Sequence, residues 1–338
     1  MLNGIAFSAR DGIGRAQLRA AVQIALKAMG LSSIRLAFER TRSSSVATMS
    51  PTSNHLTWII TGASRGFGRA IAERALEAGD SVLAAVREPR AVAELAERYP
   101  DRLAVTAFDA RKASQVGGVV EAALQRFGRV DVLVNNAGRG IIGAAEEVPD
   151  ADLREALDLH LFVPAALVRA VLPTMRTQGR GTIIQMSSQG GRVSFPGAGA
   201  YSAGKFALEG WSEALAGEVA PFGIRVMIVE PSRFRTGFNR PDVIAFAESS
   251  PVYREALSAV RADLAQVDGV QEGDPVKAAE VIIDLTHGND VPLRLPLGAE
   301  AVQRIGNGYR ANLEALEKWA GVASGTDFVD APPSARPV

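Results

Sequence analysis

Cysteine is absent from the 338 residues, which excludes disulfides, thiolate zinc sites and cysteine nucleophiles. Its absence is typical of a reducing compartment, and we predict a cytoplasmic protein. Histidine is nearly as scarce, because only His55, His160 and His287 occur and their spacing matches no metal motif. No metal is therefore expected. We see no uninterrupted run of about eighteen apolar residues, so no membrane span is expected either.

An excess of either charge is also missing, since Lys+Arg and Asp+Glu both number 37. A balanced chain has no general attraction to nucleic acid or to anionic lipid, so an anionic ligand must be held locally. The composition, 47% hydrophobic and 22% charged, lies within the range of globular enzymes. We predict a small-molecule ligand and no nucleic-acid partner.

Charge is uneven along the chain, because residues 1–50 carry seven basic against two acidic residues. The amphipathic stretch QLRAAVQIALKAMGL resembles a targeting presequence or a surface helix. The alternative is that Met49 is the natural start and that residues 1–48 contribute nothing to the fold. We predict an extension over 1–50, disordered, amphipathic or a start-site artefact, a catalytic domain over 51–320, and a loose tail over 321–338.

From residue 56 onward, short apolar runs alternate with segments of helical period, which is typical of repeated βαβ units. Six strands are predicted in the runs LTWIIT, SVLAAV, LAVTAF, VDVLVN, GTIIQMS and IRVMIVE. The fold class is therefore α/β, a single doubly wound parallel sheet of Rossmann type with helices on both faces. Residues 233–273 are irregular and rich in aromatics, and we predict a small helical substrate lid there.

The stretch TGASRGFG follows the first strand and opens the first helix. Gly62, Gly66 and Gly68 allow a sharp turn and a close approach to a pyrophosphate, whose charge then faces the helix N-terminus. The spacing differs from G-x-G-x-x-G, and no acid ends the second strand. Instead, Arg65 precedes the second glycine of the stretch, and Arg87 directly follows the second strand. Because guanidinium groups clamp phosphate, NADP(H) is favoured, with NAD(H) as the alternative.

A further pattern places Ser188 thirteen residues before Tyr201, and Lys205 four residues after it. Together with TGASRGFG and with NNAG at the end of the fourth strand, this pattern resembles the short-chain dehydrogenase/reductase family over about residues 55–236. The stretch FPGAGAYSAGKFALEGWSEALAGEV is similar to the hydroxysteroid and retinol dehydrogenase-like branch.

The resemblance implies that Tyr201 transfers a proton, that Ser188 holds the substrate oxygen, and that Lys205 lowers the phenol pKa and binds the nicotinamide ribose. It further implies that Asp109 contacts adenine and that Thr236 fixes the nicotinamide carboxamide. The predicted cofactor-binding residues are Thr61, Gly62, Ser64, Arg65, Gly66, Phe67, Gly68, Arg87, Asp109, Asn135, Ala137, Gly138, Tyr201, Lys205, Pro231 and Thr236.

Two positions depart from the family's pattern. His160 stands where the family usually has an asparagine that holds a relay water; an imidazole with a pKa near neutrality could take over this role, or it could be an ordinary buried residue. Ser232 stands where glycine is common after the proline of the sixth strand, and serine adopts positive φ less cheaply than glycine.

The predicted function is an NADP(H)-dependent interconversion of an alcohol and a carbonyl. The aromatics Phe195, Phe234, Phe238, Phe246 and Tyr253 favour a bulky apolar substrate, although they could equally anchor the core. The alternatives are a cofactor-binding sensor or scaffold without turnover, and epimerase or dehydratase chemistry on the same fold. We also expect a homodimer or homotetramer, formed by the Tyr201 helix and residues 150–176, which resemble the family's four-helix interface.

Overall fold

Nine strands are present in residues 55–328, the part of the chain that this computed structural model describes. The predicted extension over 1–50 lies outside the described residues, as does the last part of the predicted tail. The strands are β1 Thr57–Thr61, β2 Ser81–Val86, β3 Leu103–Ala107, β4 Val132–Asn135, β5 Gly140–Ile142, β6 Gly181–Met186, β7 Ile224–Pro231, β8 Ile244–Phe246 and β9 Arg294–Leu297.

Seven of these strands form one parallel sheet in the order β3-β2-β1-β4-β6-β7-β9. Strands β5 and β8 form a separate parallel pair. The chain leaves β1 first toward β2 and β3, and later returns to the other side of β1 with β4. A crevice therefore opens beyond the carboxyl ends of β1 and β4, where doubly wound sheets bind their ligands. The predicted fold class and its six strands are confirmed; the proline-containing run VPLRLPLG, which also indicates an edge strand, contains β9 at the edge of the sheet.

Helices cover both faces of the sheet. They are α1 Gly66–Glu77, α2 Ala93–Arg98, α3 Val116–Phe127, α4 Asp150–Leu157, α5 Val163–Gln178, α6 Gly199–Val219, α7 Arg254–Gln266, α8 Pro275–His287 and α9 Ala299–Ser324. Helices α1, α2 and α8 bury apolar side chains on one face, and α3, α5 and α6 do so on the other. Strands covered on both sides are apolar throughout, as TWIIT in β1 illustrates.

Local sequence explains how several helices begin and end. Asp274 caps α8 by accepting a hydrogen bond from the Val276 N–H at 2.9 Å, and Pro275 occupies the first turn, where proline is well tolerated. Helix α7 lies in the predicted lid and is largely exposed. Within REALSAVRADLAQ only Leu257 is buried, and Val260 and Leu264 are half-buried. Helix α9 runs to Ser324 and so continues past the predicted boundary at residue 320.

A π-helical turn over Asp158–Phe162 joins α4 to α5 into one continuous helix. Such turns contain an extra residue and often occur at functional sites. His160 lies in this turn and faces Gly204 of α6, where a Cβ would come within 2.9 Å of the His160 Cβ. The combined helix Asp150–Gln178 is long and apolar enough to cross a membrane, but half of its apolar window is buried inside the fold. It serves as a core helix here.

Candidate active site

The loop between β1 and α1 forms a tight cradle at the crevice. Gly62 and Gly66 have φ values of +69° and +56°, which side-chain-bearing residues rarely adopt. At Gly68 an added Cβ would collide with the Gly62 carbonyl oxygen and would lie 2.5 Å from Asn136 Nδ2. The three glycines of TGASRGFG are therefore required by geometry, and the backbone is left open to a close-lying ligand.

Asn136 braces this cradle, although the sequence analysis did not include it among the site residues. Its Nδ2 donates hydrogen bonds to the carbonyl oxygens of Thr61 at 2.9 Å and Gly62 at 3.2 Å. Its backbone N–H donates to Thr61 Oγ1 at 2.9 Å, as does that of Ala137 at 3.1 Å. Asn136 is the second asparagine of NNAG, whereas the predicted cofactor-binding residues of this motif are Asn135, Ala137 and Gly138.

The cradle fits the pyrophosphate of a dinucleotide. Within the described residues, Arg65 at the N-cap of α1 makes no side-chain cap hydrogen bond, and the first turn contains no acid. The first N–H groups of α1 can therefore bind an anion. Arg65 Nη1 lies 2.6 Å from Asp242 Oδ2 of the lid segment, and Arg87 is exposed directly after β2. The structure thus places both predicted phosphate-binding arginines at loops that follow neighbouring strands.

Two other predicted cofactor residues are engaged within the protein. Asp109 lies just beyond β3, and Arg111 binds its carboxylate through Nε and Nη2 at 2.9 and 2.8 Å. These hydrogen bonds lower the pKa of Asp109 to about 2. Asn135 is buried and donates from Nδ2 to Gln185 Oε1 at 3.0 Å, which links β4 to β6. Asn135 therefore supports the ends of the strands.

The nicotinamide end of the crevice is built where β7 ends at Pro231. Thr236 lies against the glycine cradle, because a Cβ at Gly66 would come within 2.9 Å of the Thr236 Cβ. Phe67 packs against Phe234 with ring centroids 5.0 Å apart. Ser232 donates to the Leu297 carbonyl oxygen from its N–H at 3.0 Å and from its hydroxyl at 3.3 Å. The serine that departs from the family's pattern thus ties β7 to β9.

Ser188, Tyr201 and Lys205 come together between the end of β6 and the start of α6. The Ser188 hydroxyl accepts a hydrogen bond from the Gly190 N–H at 3.0 Å, which fixes the loop after β6. A Cβ at Gly190 would lie 3.2 Å from Tyr201 Cε1 and 3.4 Å from Ser188 Oγ. Lys205 is buried and donates from Nζ to the Met186 carbonyl oxygen at 2.7 Å. The three residues share one site.

Burial controls the charges of this site. It raises the pKa of Tyr201 to about 12, while the Ser188 hydroxyl acts in the opposite direction. It also lowers the pKa of Lys205 to about 7. Burial therefore outweighs the effect expected of Lys205, whose Nζ donates to the Met186 carbonyl oxygen and lies 5.8 Å from the Tyr201 ring centroid. Tyr201 is thus a neutral phenol, the form that donates a proton.

His160 lies directly behind Tyr201, with ring centroids 5.4 Å apart in an edge-to-face arrangement. Its Nε2 is 2.9 Å from the Arg139 carbonyl oxygen, so Nε2 carries the proton. Nδ1 is a buried acceptor without a hydrogen-bond partner in residues 55–328. Burial, helped by the charge of Lys205, lowers the pKa of His160 well below 6.5. Of the two alternatives for His160, this lowered pKa favours the ordinary buried residue over an imidazole that titrates near neutrality.

An apolar wall borders the other side of Tyr201. The Phe238 ring lies 5.8 Å from the Tyr201 ring, centroid to centroid. Ile142, Ala198 and Ile244 form a buried cluster against which Phe195 and Phe238 pack. Of the remaining predicted lid aromatics, Phe234 belongs to the main core, and Phe246 is exposed. Phe234 is thus a core anchor, whereas Phe238 lies beside Tyr201.

A doubly wound parallel sheet, a glycine cradle at its switch point and a buried Ser-Tyr-Lys site define an NAD(P)-dependent dehydrogenase or reductase. The sequence profile of the family described as short chain dehydrogenase matches residues 57–243. The chain belongs to the short-chain dehydrogenase/reductase family.

Several known proteins are similar to this chain. Oxidoreductase BOA17 of Botryotinia fuckeliana is 36% identical over 263 residues, which cover 78% of this chain and 96% of that protein. A 3-ketodihydrosphingosine reductase of Bacteroides thetaiotaomicron is 41% identical over 180 residues, which cover 53% of this chain and 64% of that protein. The crystal structure of a short-chain dehydrogenase from Streptomyces avermitilis has a TM-score of 0.76 and 45% identity, covering 81% of this chain and 100% of that one.

Proposed function

We propose that this oxidoreductase is NADP(H)-dependent and interconverts a carbonyl and an alcohol, with Tyr201 as the acid and base. The observation that carries this proposal is the half-buried, neutral phenol of Tyr201 beside Ser188 and Lys205. These residues follow β6, at the same edge of the sheet as the glycine cradle that follows β1. Proton transfer and cofactor binding would therefore occur in one crevice.

The residues divide the chemistry as follows. A bound nicotinamide cofactor supplies or removes the hydride. Tyr201 donates its proton to the carbonyl oxygen in reduction, and its phenolate accepts the proton in oxidation. Ser188 donates a hydrogen bond to the same oxygen and holds it in place. The ammonium of Lys205 stabilises the phenolate that remains after the proton has left, and we also assign to it the contact with the nicotinamide ribose.

NADP(H) is proposed over NAD(H) because of Arg65 and Arg87. Both are exposed or half-exposed at loops that follow β1 and β2, and a guanidinium group binds a phosphate through two parallel hydrogen bonds. Asp109, the acid beyond β3, is already bound by Arg111. A 2′-phosphate would thus meet positive charge at this edge of the crevice.

A bulky apolar substrate is proposed because the space in front of Tyr201 is bordered by Phe238 and by the cluster that contains Ile142 and Ile244. Apolar and aromatic walls with few polar groups are typical of sites for such ligands. The name of the Bacteroides relative, a 3-ketodihydrosphingosine reductase, supports a ketone as the reducible group. A substrate of the hydroxysteroid or retinoid type remains our prediction from the resemblance.

The test is oxidation of NADPH, followed by its absorbance, with aldehydes, quinones, steroids and retinoids as substrates. We expect turnover with at least one apolar carbonyl compound, and a loss of about 10²- to 10⁴-fold in kcat in Tyr201→Phe. NADH is measured in parallel. Binding of NADPH without turnover across the whole panel would contradict the proposed reaction, and an equal rate with NADH would contradict the cofactor preference.

We further propose a homo-oligomer built through α4, α5 and α6. Large apolar side chains remain exposed on α4, on the π turn and on α6, namely Leu153, Phe162 and Phe206, of which Phe162 is 54% exposed. A contiguous patch of such side chains marks an association surface, and we propose that these elements form one.

A further inference from the structure

Behind Lys205 the structure buries two carboxyl groups and clamps them with two guanidinium groups. Glu209 of α6 is 4% exposed, and Glu230 of β7 is 2% exposed. Arg192, from the loop after β6, and Arg294, from β9, reach both of them. Carboxyl groups are rarely buried this completely unless they are paired, as both are here, and the proposed reaction uses neither of them.

Glu209 lies one helical turn from Lys205. The two residues are four positions apart in α6, and both are buried, so their side chains lie on one face of the helix one turn apart. A Cβ at Gly191 would lie 3.2 Å from both Glu209 Cγ and Lys205 Cβ. The glutamate, the lysine and the loop that carries Ser188 are thus packed against one another.

The two carboxyl groups differ in the hydrogen bonds that they accept from the arginines. Arg192 Nη1 and Arg294 Nε donate to Glu209 Oε2 at 3.4 and 3.2 Å. The same two groups lie 3.8 and 3.7 Å from Glu230 Oε1, which has no hydrogen-bond partner in the described part of the chain. Burial and the neighbouring Glu209 charge raise the pKa of Glu230 to about 7, so Glu230 binds a proton readily near neutral pH.

We propose that Glu209 is a positioning residue for the proposed reaction: its buried carboxylate, one helical turn beyond Lys205, holds the lysine side chain in its ammonium form. This inference rests on the proposed function, in which that ammonium stabilises the Tyr201 phenolate. Burial alone lowers the pKa of Lys205 to about 7, and the Glu209 charge opposes this effect. Without Glu209, a larger fraction of Lys205 would be neutral at the pH of the cell.

The other charged and titratable groups around Lys205 do not replace Glu209. Arg192 and Arg294 are positive, and His160, from the π turn, is neutral. Tyr201, on α6 itself, is neutral as well. Glu230 of β7 holds a proton readily, as described above. Glu213, the next acid on α6, is 60% exposed and is bound to Arg294 at 2.6 Å. The carboxylate of Glu209 is thus the buried negative charge next to the ammonium.

Lysine side-chain NMR tests this proposal without requiring turnover. The chain contains five lysines, so the side-chain carbon signal of Lys205 can be assigned with Lys205→Arg and titrated in the cofactor-free protein. We expect Glu209→Gln to lower the pKa of Lys205 by about one pH unit, since removal of a nearby opposite charge disfavours the charged form. Glu213→Gln is the matched control on the same helix, and it should leave the Lys205 pKa unchanged.

Glu230 provides a second variant for this test. In Glu209→Gln, Glu230 loses its like-charged neighbour and ionises more easily, which partly restores the negative charge. The double variant with Glu230→Gln should therefore lower the Lys205 pKa further than Glu209→Gln does. An unchanged Lys205 pKa in both variants would overturn the proposal. If Glu209→Gln does not fold, Glu209→Leu, which is also uncharged, takes its place: it should lower the Lys205 pKa as well, and no shift in this variant overturns the proposal.

The pH dependence of the steady-state kinetics distinguishes an electrostatic role of Glu209 from a structural one. With an active substrate, the alkaline limb of kcat/KM for carbonyl reduction should move to lower pH in Glu209→Gln and should return toward the wild-type position in Glu209→Asp. A lower rate with unmoved pH limbs would overturn the positioning role. A wild-type protein that turns over no carbonyl compound while the NMR shift persists would instead refute the proposed function and leave the charge coupling in place.

Discussion

Replacing Asp242 by asparagine should tighten the binding of NADPH more than that of NADH. Arg65 Nη1 lies 2.6 Å from Asp242 Oδ2, so the lid carboxylate occupies the guanidinium group that we assign to the 2′-phosphate. Cofactor and carboxylate then compete for one cation. Asp242→Asn removes the competing negative charge without changing the shape of the side chain. The affinity for NADH should not change, because NADH lacks the 2′-phosphate.

The size of the effect follows from exposure. The side chains of Arg65 and Asp242 are 38% and 53% exposed, so water and salt screen their attraction. Breaking such a pair changes a dissociation constant by at most about fivefold. We therefore expect Kd for NADPH to fall by about two- to fivefold at low ionic strength, and we expect this gain to shrink as salt is added. Kd for NADH should stay within error.

Titration of the fluorescence of the reduced cofactors measures both dissociation constants. Asp263→Asn is the matched control, because Asp263 Oδ2 forms a similar exposed ion pair with Arg233 at 2.5 Å elsewhere in the lid. It should change neither Kd. Arg65→Gln in the Asp242→Asn background should abolish the gain. Equal tightening of NADPH and NADH, or none for either, would refute the assignment of Arg65 to the 2′-phosphate.

Three further predictions concern single positions. Gly68→Ala would press a methyl group against the backbone of the glycine cradle, so we expect a loss of cofactor binding and about 1–3 kcal/mol of stability in denaturant unfolding. Gly117→Ala, in a helix with no described atom within 4 Å of the added Cβ, should be neutral or stabilising; equal behaviour of the two variants would be evidence against the cradle. His160→Asn keeps an uncharged donor for the Arg139 carbonyl, so the rate and pH limbs should persist; a shifted limb near neutrality would show that His160 titrates. Phe162→Glu should shift sedimentation toward the monomer, and a wild-type monomer at micromolar concentration would contradict the proposed interface.

Apolar patterning predicted the layers of this fold because a sheet covered on both faces leaves a clear signature. Strands such as GTIIQM are buried throughout, and the amphipathic helices between them have one apolar face. Helix α7 has a weaker signature, because within it only Leu257 is buried, while Val260 and Leu264 are half-buried against the Ile142 cluster. Apolar periodicity is therefore less informative for elements that bury few side chains.

The candidate site was predicted in its residue types but not in its charges. Spacing placed Tyr201 and Lys205 on one helix face, and it suggested that the ammonium acts directly on the phenol. In the structure the Lys205 Nζ is bound to the Met186 carbonyl, and burial dominates the pKa values of both residues. The effect of desolvation on a pKa depends on all the residues that pack around the group in the folded protein, and the spacing of residues along the sequence does not reveal them.

The π turn at His160 shows the same limit in the backbone. The stretch DLHLFVPAALV continues the apolar pattern of α4 into α5, so the sequence predicts an unbroken helix there. The widened turn places His160 against Arg139 on one side and Tyr201 on the other, and the close approach of α6 at Gly204 completes its burial. That burial keeps the imidazole neutral. The neutral His160 donates from Nε2–H to the Arg139 carbonyl oxygen and leaves Nδ1 as a buried acceptor. Nδ1 can accept a hydrogen bond from a water molecule and orient it, as an amide oxygen would, without taking up a proton.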